Sequence, residues 1–211
     1  GGEIDTECMN RLLLATANKG KVIEMREGLE GLGLEFLTLR DVNIDSSPEE
    51  TGLTYEENAK LKARYYFDAT GIPSLADDSG ILVEALGNEL GIHTRRWGAG
   101  PAASDEEWIA YFLERMKKEE NRQAEFVCVL ALACFDSAQH DTTVRVFEGR
   151  CHGAITEDLQ AEYLPGLPIS ACFIPDGCDR VFSALPIDLK NRVSHRGEAV
   201  GKVRGFLQGH P

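Results

Sequence analysis

The sequence is short of positive charge. Its 211 residues carry 22 Lys and Arg against 35 Asp and Glu, a formal net charge of −13. That balance excludes a general nucleic-acid coat, because such surfaces neutralise phosphates with clustered Lys and Arg. A long apolar run is also missing: the longest, residues 126–135, is about half the length a membrane helix needs, so no segment is expected to cross a bilayer. The six cysteines, Cys8, Cys128, Cys134, Cys151, Cys172 and Cys178, contain no CxxC pair and no His at zinc-finger spacing, which argues against structural zinc. A chain of this length buries about 70% of its unfolded surface without disulfide staples, so reduced thiols filling a cytoplasmic core are expected. Residues 1–10 have neither the basic patch nor the apolar core of a secretory signal and read as a short tail. No repeat, linker or low-complexity stretch interrupts residues 11–211, which read as one domain.

What is present points to a globular α/β chain. Residues 11–15 read as a buried strand, residues 19–32 as a helix and residues 35–39 as a second strand. Thr54 and Glu57 have capping-box spacing for a helix running to Thr70, where Gly71 and Pro73 stop it. Residues 74–77 read as a short strand ending in an acidic turn, Asp77-Asp78-Ser79-Gly80, with a further strand over 81–84. Ser104 and Glu107 offer a second capping box for a helix to Lys118. Residues 124–135 and 143–149 read as a hairpin around the polar stretch 136–141, and a last helix covers 197–207. Helices alternate with strands early and strands cluster in the middle, so the expected class is a mixed α/β fold on a largely twisted sheet.

Charge is unevenly placed. From Arg180 onward there are six bases against two acids, a local sum of +4, so the rest of the chain carries −17. This basic segment contains Lys190, Ser194, His195 and Arg196 and suits a small anion such as a triphosphate as readily as a solvated helix. Three further places carry candidate chemistry. Thr16, Ala17, Asn18, Lys19, Gly20 and Lys21 lie between a strand and a helix, where unpaired N–H groups and Lys21 suit phosphate and where Thr and Asn also serve as ordinary caps. The GxxxxGK[ST] spacing of a Walker loop is absent. In the pair Asp77-Asp78, extended chain sends one carboxylate into a cleft and ties the other into the fold. Such oxygens suit Mg²⁺, with Glu49 or Glu50 adding another; the alternative is a turn in which both merely bond nearby N–H groups. Lys62 follows Asn58 by one turn and precedes Tyr66, so its stem is expected to be covered.

Taken in order, ATANKGK (15–21), EETGLTYEENAKLKAR (49–64), ADDSG (76–80), GIHTRRWG (91–98) and KNRVSHRG (190–197) resemble the inosine triphosphate pyrophosphatase family, the XTP/dITP diphosphatases, over nearly the whole chain. The resemblance implies an elongated two-lobed α/β fold around a long twisted mixed sheet, with the active site in the cleft between lobes, and usually a homodimer. It implies that residues 16–21 hold the triphosphate and that Glu49 and Asp78 hold Mg²⁺. Asp78 would also accept the proton. Ser79 would touch substrate, Lys62 and Lys190 would steady phosphate or nucleotide, and His195 with Arg196 would meet the base.

One segment departs from that family. After Gly166 the family has an aromatic residue, Gly, another aromatic, Asp and Pro; this chain has Leu167, Pro168, Ile169, Ser170 and Ala171. An aromatic platform under a base is worth about 1–3 kcal/mol, so base selectivity is the implied property most affected. Trp97, Phe173 or a partner subunit are the candidates for supplying stacking instead, and 166–172 also reads as a plain loop. Three functions remain: a Mg²⁺-dependent pyrophosphatase acting on ITP, dITP or XTP, the same chemistry redirected to another base, or a nucleotide-binding module without turnover.

Overall fold

Arg11–Leu14 forms strand β1, whose three leucines are fully buried. The computed structural model describes residues 9–87, 89–100, 102–136 and 141–209; Cys8 and the middle of the polar stretch at 137–140 lie outside them. Helix α1 (Lys19–Leu29) follows β1 and leads to β2 (Glu35–Thr38), parallel to β1. Helix α2 (Tyr55–Thr70) then crosses to the other side of β1, where β3 (Ser74–Val83) pairs in parallel with Leu13 and Leu14. Crossovers of one hand to opposite sides of a strand place their helices on opposite faces. Met25 and Leu29 of α1 accordingly pack on one face, while Ala59, Ala63 and Phe67 of α2 pack on the other. Where the winding direction reverses, a crevice opens at the carboxyl end of β1.

β3 differs from the sequence expectation. The acidic residues do not form a turn: Ser74–Val83 is one unbroken strand, held because ten consecutive residues pair antiparallel with β4 (Gln123–Asp136), Asp77 opposite Leu130 and Asp78 opposite Val129. The register with β1 ends at Leu75, so beyond that point this flank of β3 borders the crevice. β4 continues into β5 (Asp141–Ile155) and β5 pairs with β6 (Phe173–Pro175), giving the six-stranded order β2-β1-β3-β4-β5-β6. Gly80 is required by close approach, because a Cβ there would lie 2.3 Å from the Gly91 carbonyl oxygen in the 3-10 turn Gly91–Arg96.

The far end of the sheet carries its own apolar cluster. Trp108, Phe112 and Met116 of α3 (Asp105–Met116) pack with Ile81, Phe173 and Phe182. Ser104 and Glu107 complete the expected capping box there, whereas Thr54 makes only half of one: its hydroxyl accepts from Glu57 N–H, but the Glu57 carboxylate accepts from Leu53 N–H. The C-terminal segment holds a helix that periodicity did not signal, α4 (Ile187–Val193), too short to show an apolar stripe. Ser194 then caps α5 (His195–Leu207), which starts two residues earlier than expected because the Ser194 hydroxyl accepts from Gly197 N–H at 2.9 Å. The result is a mixed α/β fold whose long mixed sheet has apolar cores at both ends and the crevice between them. Among the described residues no helix is long and apolar enough to cross a membrane.

Candidate active site

A cavity of about 420 Å³ lies in this crevice, beside the exposed flank of β3. Thr16, Ala17, Asn18 and Lys21 line one side of it. Asn18 is tied twice: its Oδ1 accepts from Lys21 N–H at 3.1 Å as the α1 cap, and its amide donates to the Gly166 carbonyl at 3.0 Å. Thr16 Oγ1 accepts from Asn18 N–H at 3.2 Å, and Gly20 N–H donates to the Pro165 carbonyl at 3.1 Å. The helix-start N–H groups expected to await phosphate are thus largely taken by protein: those of Asn18 and Lys21 by the local Thr16 and Asn18 side chains, and that of Gly20 by Pro165. Lys19 is exposed and Gly20 is buried under Leu167, and neither lines the cavity.

Asp77 and Asp78 divide their roles by the alternation of extended chain. The Asp77 carboxylate is wholly buried and bonds Lys21, Arg196 Nε (2.9 Å), Ser79 Oγ (2.9 Å) and Cys128 Sγ (3.3 Å). Burial alone would raise its pKa, but Arg196 and Lys21 hold it well below the usual carboxylate range. Arg196, itself buried, spreads its fork over Asp77, Glu24 and the Ser79 hydroxyl, and Lys190 joins Glu24. Burial likewise pushes Glu24 up, and Arg196 with Lys190 brings it below its ordinary value. This floor holds three bases against two acids, so one positive charge remains for an anion.

On the opposite face, Asp78 Oδ1 accepts from Lys62 Nζ at 2.8 Å, and Lys62 also reaches Glu50 at 3.0 Å. Asp78 Oδ2 is buried and has no hydrogen-bond partner. Burial raises the Asp78 carboxyl by more than Lys62 lowers it. Burial would lower Lys62, but Asp78 and Glu50 outweigh it and raise the ammonium pKa. Glu50 lines the cavity; Glu49 is exposed beside it in the chain and does not. Among the described residues no three His, Cys, Asp or Glu side chains converge as a metal cage. Burial pushes the Cys151 and Cys172 thiols up to about 12 and Cys134 to about 11, so none of these is a nucleophile at neutral pH.

The other end of the cavity is apolar and aromatic. Trp108, Phe126, Phe182, Leu167, Pro168 and Ile169 line it together with Ser170, whose hydroxyl donates to the Leu167 carbonyl at 2.6 Å. The His195 ring stacks on Phe126, with centroids 4.5 Å apart and planes at 13°. Burial, with Arg196 adjoining, drives the imidazole pKa well below its ordinary value, so the ring is neutral; its Nδ1 is buried without a partner. The two rings that the sequence offered as substitute platforms are engaged elsewhere. Trp97 packs edge-on against Trp108, Tyr111 and Phe112, and Phe173 is fully buried against Phe126 and Phe182.

Sequence reasoning therefore named Lys21, Lys62, Asp78, Ser79, Lys190, His195 and Arg196, all of which line the cavity. It missed Glu24, Asp105, Trp108, Phe126 and Phe182, which also line it. Phe126 stands in an apolar strand where nothing local marks it, and Glu24 reads as an ordinary helix carboxylate; only the tertiary pairing with Arg196 and Lys190 gives it a role.

The sequence profile of the Ham1 family matches residues 12–206. The chain is 39% identical over 201 residues to a dITP/XTP pyrophosphatase of Leptospira interrogans, covering 95% of this chain and 98% of that protein. It is 42% identical over 202 residues to a dITP/XTP pyrophosphatase of Thermus thermophilus, covering 95% and 91%. Among solved structures, a HAM1 protein from Coxiella burnetii superposes with a TM-score of 0.77 at 32% identity, covering 95% of this chain and 100% of that one. On these matches over most of its length, the chain belongs to the Ham1 family.

Proposed function

We propose that this chain is a Mg²⁺-dependent nucleoside triphosphate pyrophosphatase. It hydrolyses non-standard purine triphosphates such as ITP, dITP and XTP to the nucleoside monophosphate and pyrophosphate, clearing them from the nucleotide pool. The observation that carries this reading is Asp78 Oδ2, a buried carboxylate oxygen without a partner, on a residue that lines one cavity together with Lys21, Lys62, Lys190 and Arg196 and with the rings of Trp108, Phe126 and Phe182. The relatives' name, dITP/XTP pyrophosphatase, supports the substrate class. The resemblance to that family supports a homodimer, and cysteines left as free thiols among the described residues support a cytoplasmic setting.

The chain's own groups account for the steps. Lys21 and Lys62, with the surplus charge around Arg196 and Lys190, neutralise the polyphosphate and the charge that develops on the leaving pyrophosphate. Asp78 orients a water for in-line attack and accepts its proton, and burial of the carboxyl makes it a better acceptor than a solvated Asp. Neutral His195, held flat by Phe126, presents ring nitrogen to the base beside it. A Mg²⁺ ion fits the oxygen donors Asp78 and Glu50, which line the cavity where the exposed Glu49 does not, since this cation takes one or two carboxylates alongside substrate phosphates; when bound it would add positive charge beside those phosphates. Arg96, 3.5 Å from Glu50, adds a further cation at the cleft rim.

A second reading, the same chemistry with shifted base selectivity, is favoured by Leu167 and Ser170, which place no carboxylate and no aromatic ring from that segment at the base end. Both readings are tested by pyrophosphate release across a panel of nucleoside triphosphates. ITP and XTP should rank first, chelation of Mg²⁺ should take the rate to background, and Leu167→Phe with Ser170→Asp should reorder the ranking. Inosine substrates at the bottom would establish the second reading, and an unchanged ranking in the double variant would remove 167–170 from base selection.

A further inference from the structure

The segment after Pro165 bonds both walls of the cleft with consecutive peptide units. On the α1 side, the Pro165 carbonyl accepts from Gly20 N–H and the Gly166 carbonyl accepts from the Asn18 amide. On the α3 side, Gly166 N–H donates to Asp105 Oδ2 at 2.6 Å. Gly166 has φ 81°, and a Cβ there would lie 2.5 Å from the Asn18 side-chain nitrogen, so the crossing admits little drift. Directly after it come Leu167, Pro168, Ile169 and Ser170, which line the aromatic end of the cavity.

Asp105 is unlike the other cavity carboxylates. Glu24, Glu50, Asp77 and Asp78 each pair with Lys or Arg, whereas Asp105 accepts from a backbone N–H. Nor is it needed to start its own helix, because Ser104 and Glu107 already complete the α3 capping box. A charged acceptor on a neutral N–H makes a stronger bond than a neutral pair does. We propose that Asp105 is a specificity-positioning residue: it latches the 165–170 strap to α3 and so fixes Leu167 to Ser170 over the nucleobase end of the cavity. Since the same strap is registered on the phosphate turn through Asn18 and Gly20, the latch couples where the triphosphate sits to where the base is read. This rests on the pyrophosphatase reading above.

The test compares full-length wild type with Asp105→Ala and Asp105→Asn. Asparagine keeps an oxygen that can accept from Gly166 N–H; alanine does not. In Asp105→Ala, amide hydrogen exchange across 164–171 should rise by about tenfold or more, as expected for loss of a hydrogen bond to a charged group. The ratio of kcat/KM for ITP over ATP should fall by about tenfold, mainly through KM for ITP, with inhibition by inorganic tripolyphosphate changed less than twofold. Asp105→Asn should restore most of both. Unchanged exchange in the strap, or equal losses for ITP and ATP alongside a lower melting temperature, would overturn the latch. A wild type that releases no pyrophosphate from any purine triphosphate would instead defeat the pyrophosphatase reading, while the exchange measurement still decides the latch.

Discussion

Asp78→Asn is expected to lower kcat for triphosphate hydrolysis by about 10²–10⁴-fold, the usual worth of a positioned general base. The expectation follows from the two oxygens' different surroundings. Oδ1 is engaged by Lys62 at 2.8 Å and Oδ2 is buried without a partner. Asparagine keeps an oxygen for Lys62 but loses both the acceptor that takes a proton and the charge that would help hold Mg²⁺, so at saturating Mg²⁺ the fold and the binding of ITP should survive. Stopped assays for kcat and KM, with a thermal melt on the same sample, separate these effects. A variant retaining more than a tenth of wild-type kcat would show that another group accepts the proton. The neighbouring Asp77 is unsuited to that task, since Arg196 and Lys21 hold it ionised and its oxygens are taken.

Arg196→Met should have the largest effect on stability. Its guanidinium is 3% exposed and serves two buried carboxylates, Glu24 and Asp77, as well as the Ser79 hydroxyl. Its removal leaves Asp77 with Lys21 alone and Glu24 with Lys190 alone, and strips the bonds Arg196 makes to Asp77, Glu24 and Ser79; breaking such a buried network costs about 3–5 kcal/mol. For a domain of this size that lowers Tm by roughly 6–20 °C. The same network gives stability a pH dependence of definite sign. The folded-state pKa of Glu24 is below its ordinary value of 4.5, so its contribution is present above that pH and disappears as pH falls through the lowered value. Melting temperatures of the wild type measured downward from pH 6 should therefore drop below about pH 4.5, and the drop should be shallower in Arg196→Met. Equal Tm for the two proteins at pH 7 would contradict the assignment.

How much of this was legible in the sequence depended on whether the signal was local. β1, α1 and the α2 cap were, since buried leucines, an Asn cap and Thr54 with Glu57 act within a few residues. The acidic pair was misread as a turn because Asp77 and Asp78 carry low strand propensity, and what overrides it is the ten-residue register with β4. Side-chain alternation within the pair was readable, and it correctly separates one engaged carboxylate from one with a free oxygen. In the phosphate turn the local alternative, Thr16 and Asn18 as ordinary caps, was readable and takes two N–H groups, whereas nothing in residues 16–21 records that Pro165, 145 residues after Gly20, takes a third. Phe126, Phe182 and His195 form one aromatic wall from three distant segments, and no spacing rule connects them.

The excess of acid in the sequence is compatible with a polyanionic substrate because cations are concentrated where the cavity needs them: Lys21, Lys62, Lys190 and Arg196 all line it. The central claim is that attack occurs between the α and β phosphates. Phosphorus NMR of ITP incubated with the Mg²⁺-loaded protein tests it directly. The predicted spectrum shows inosine monophosphate and pyrophosphate growing in equal amounts with no diphosphate; inosine diphosphate with orthophosphate would contradict it.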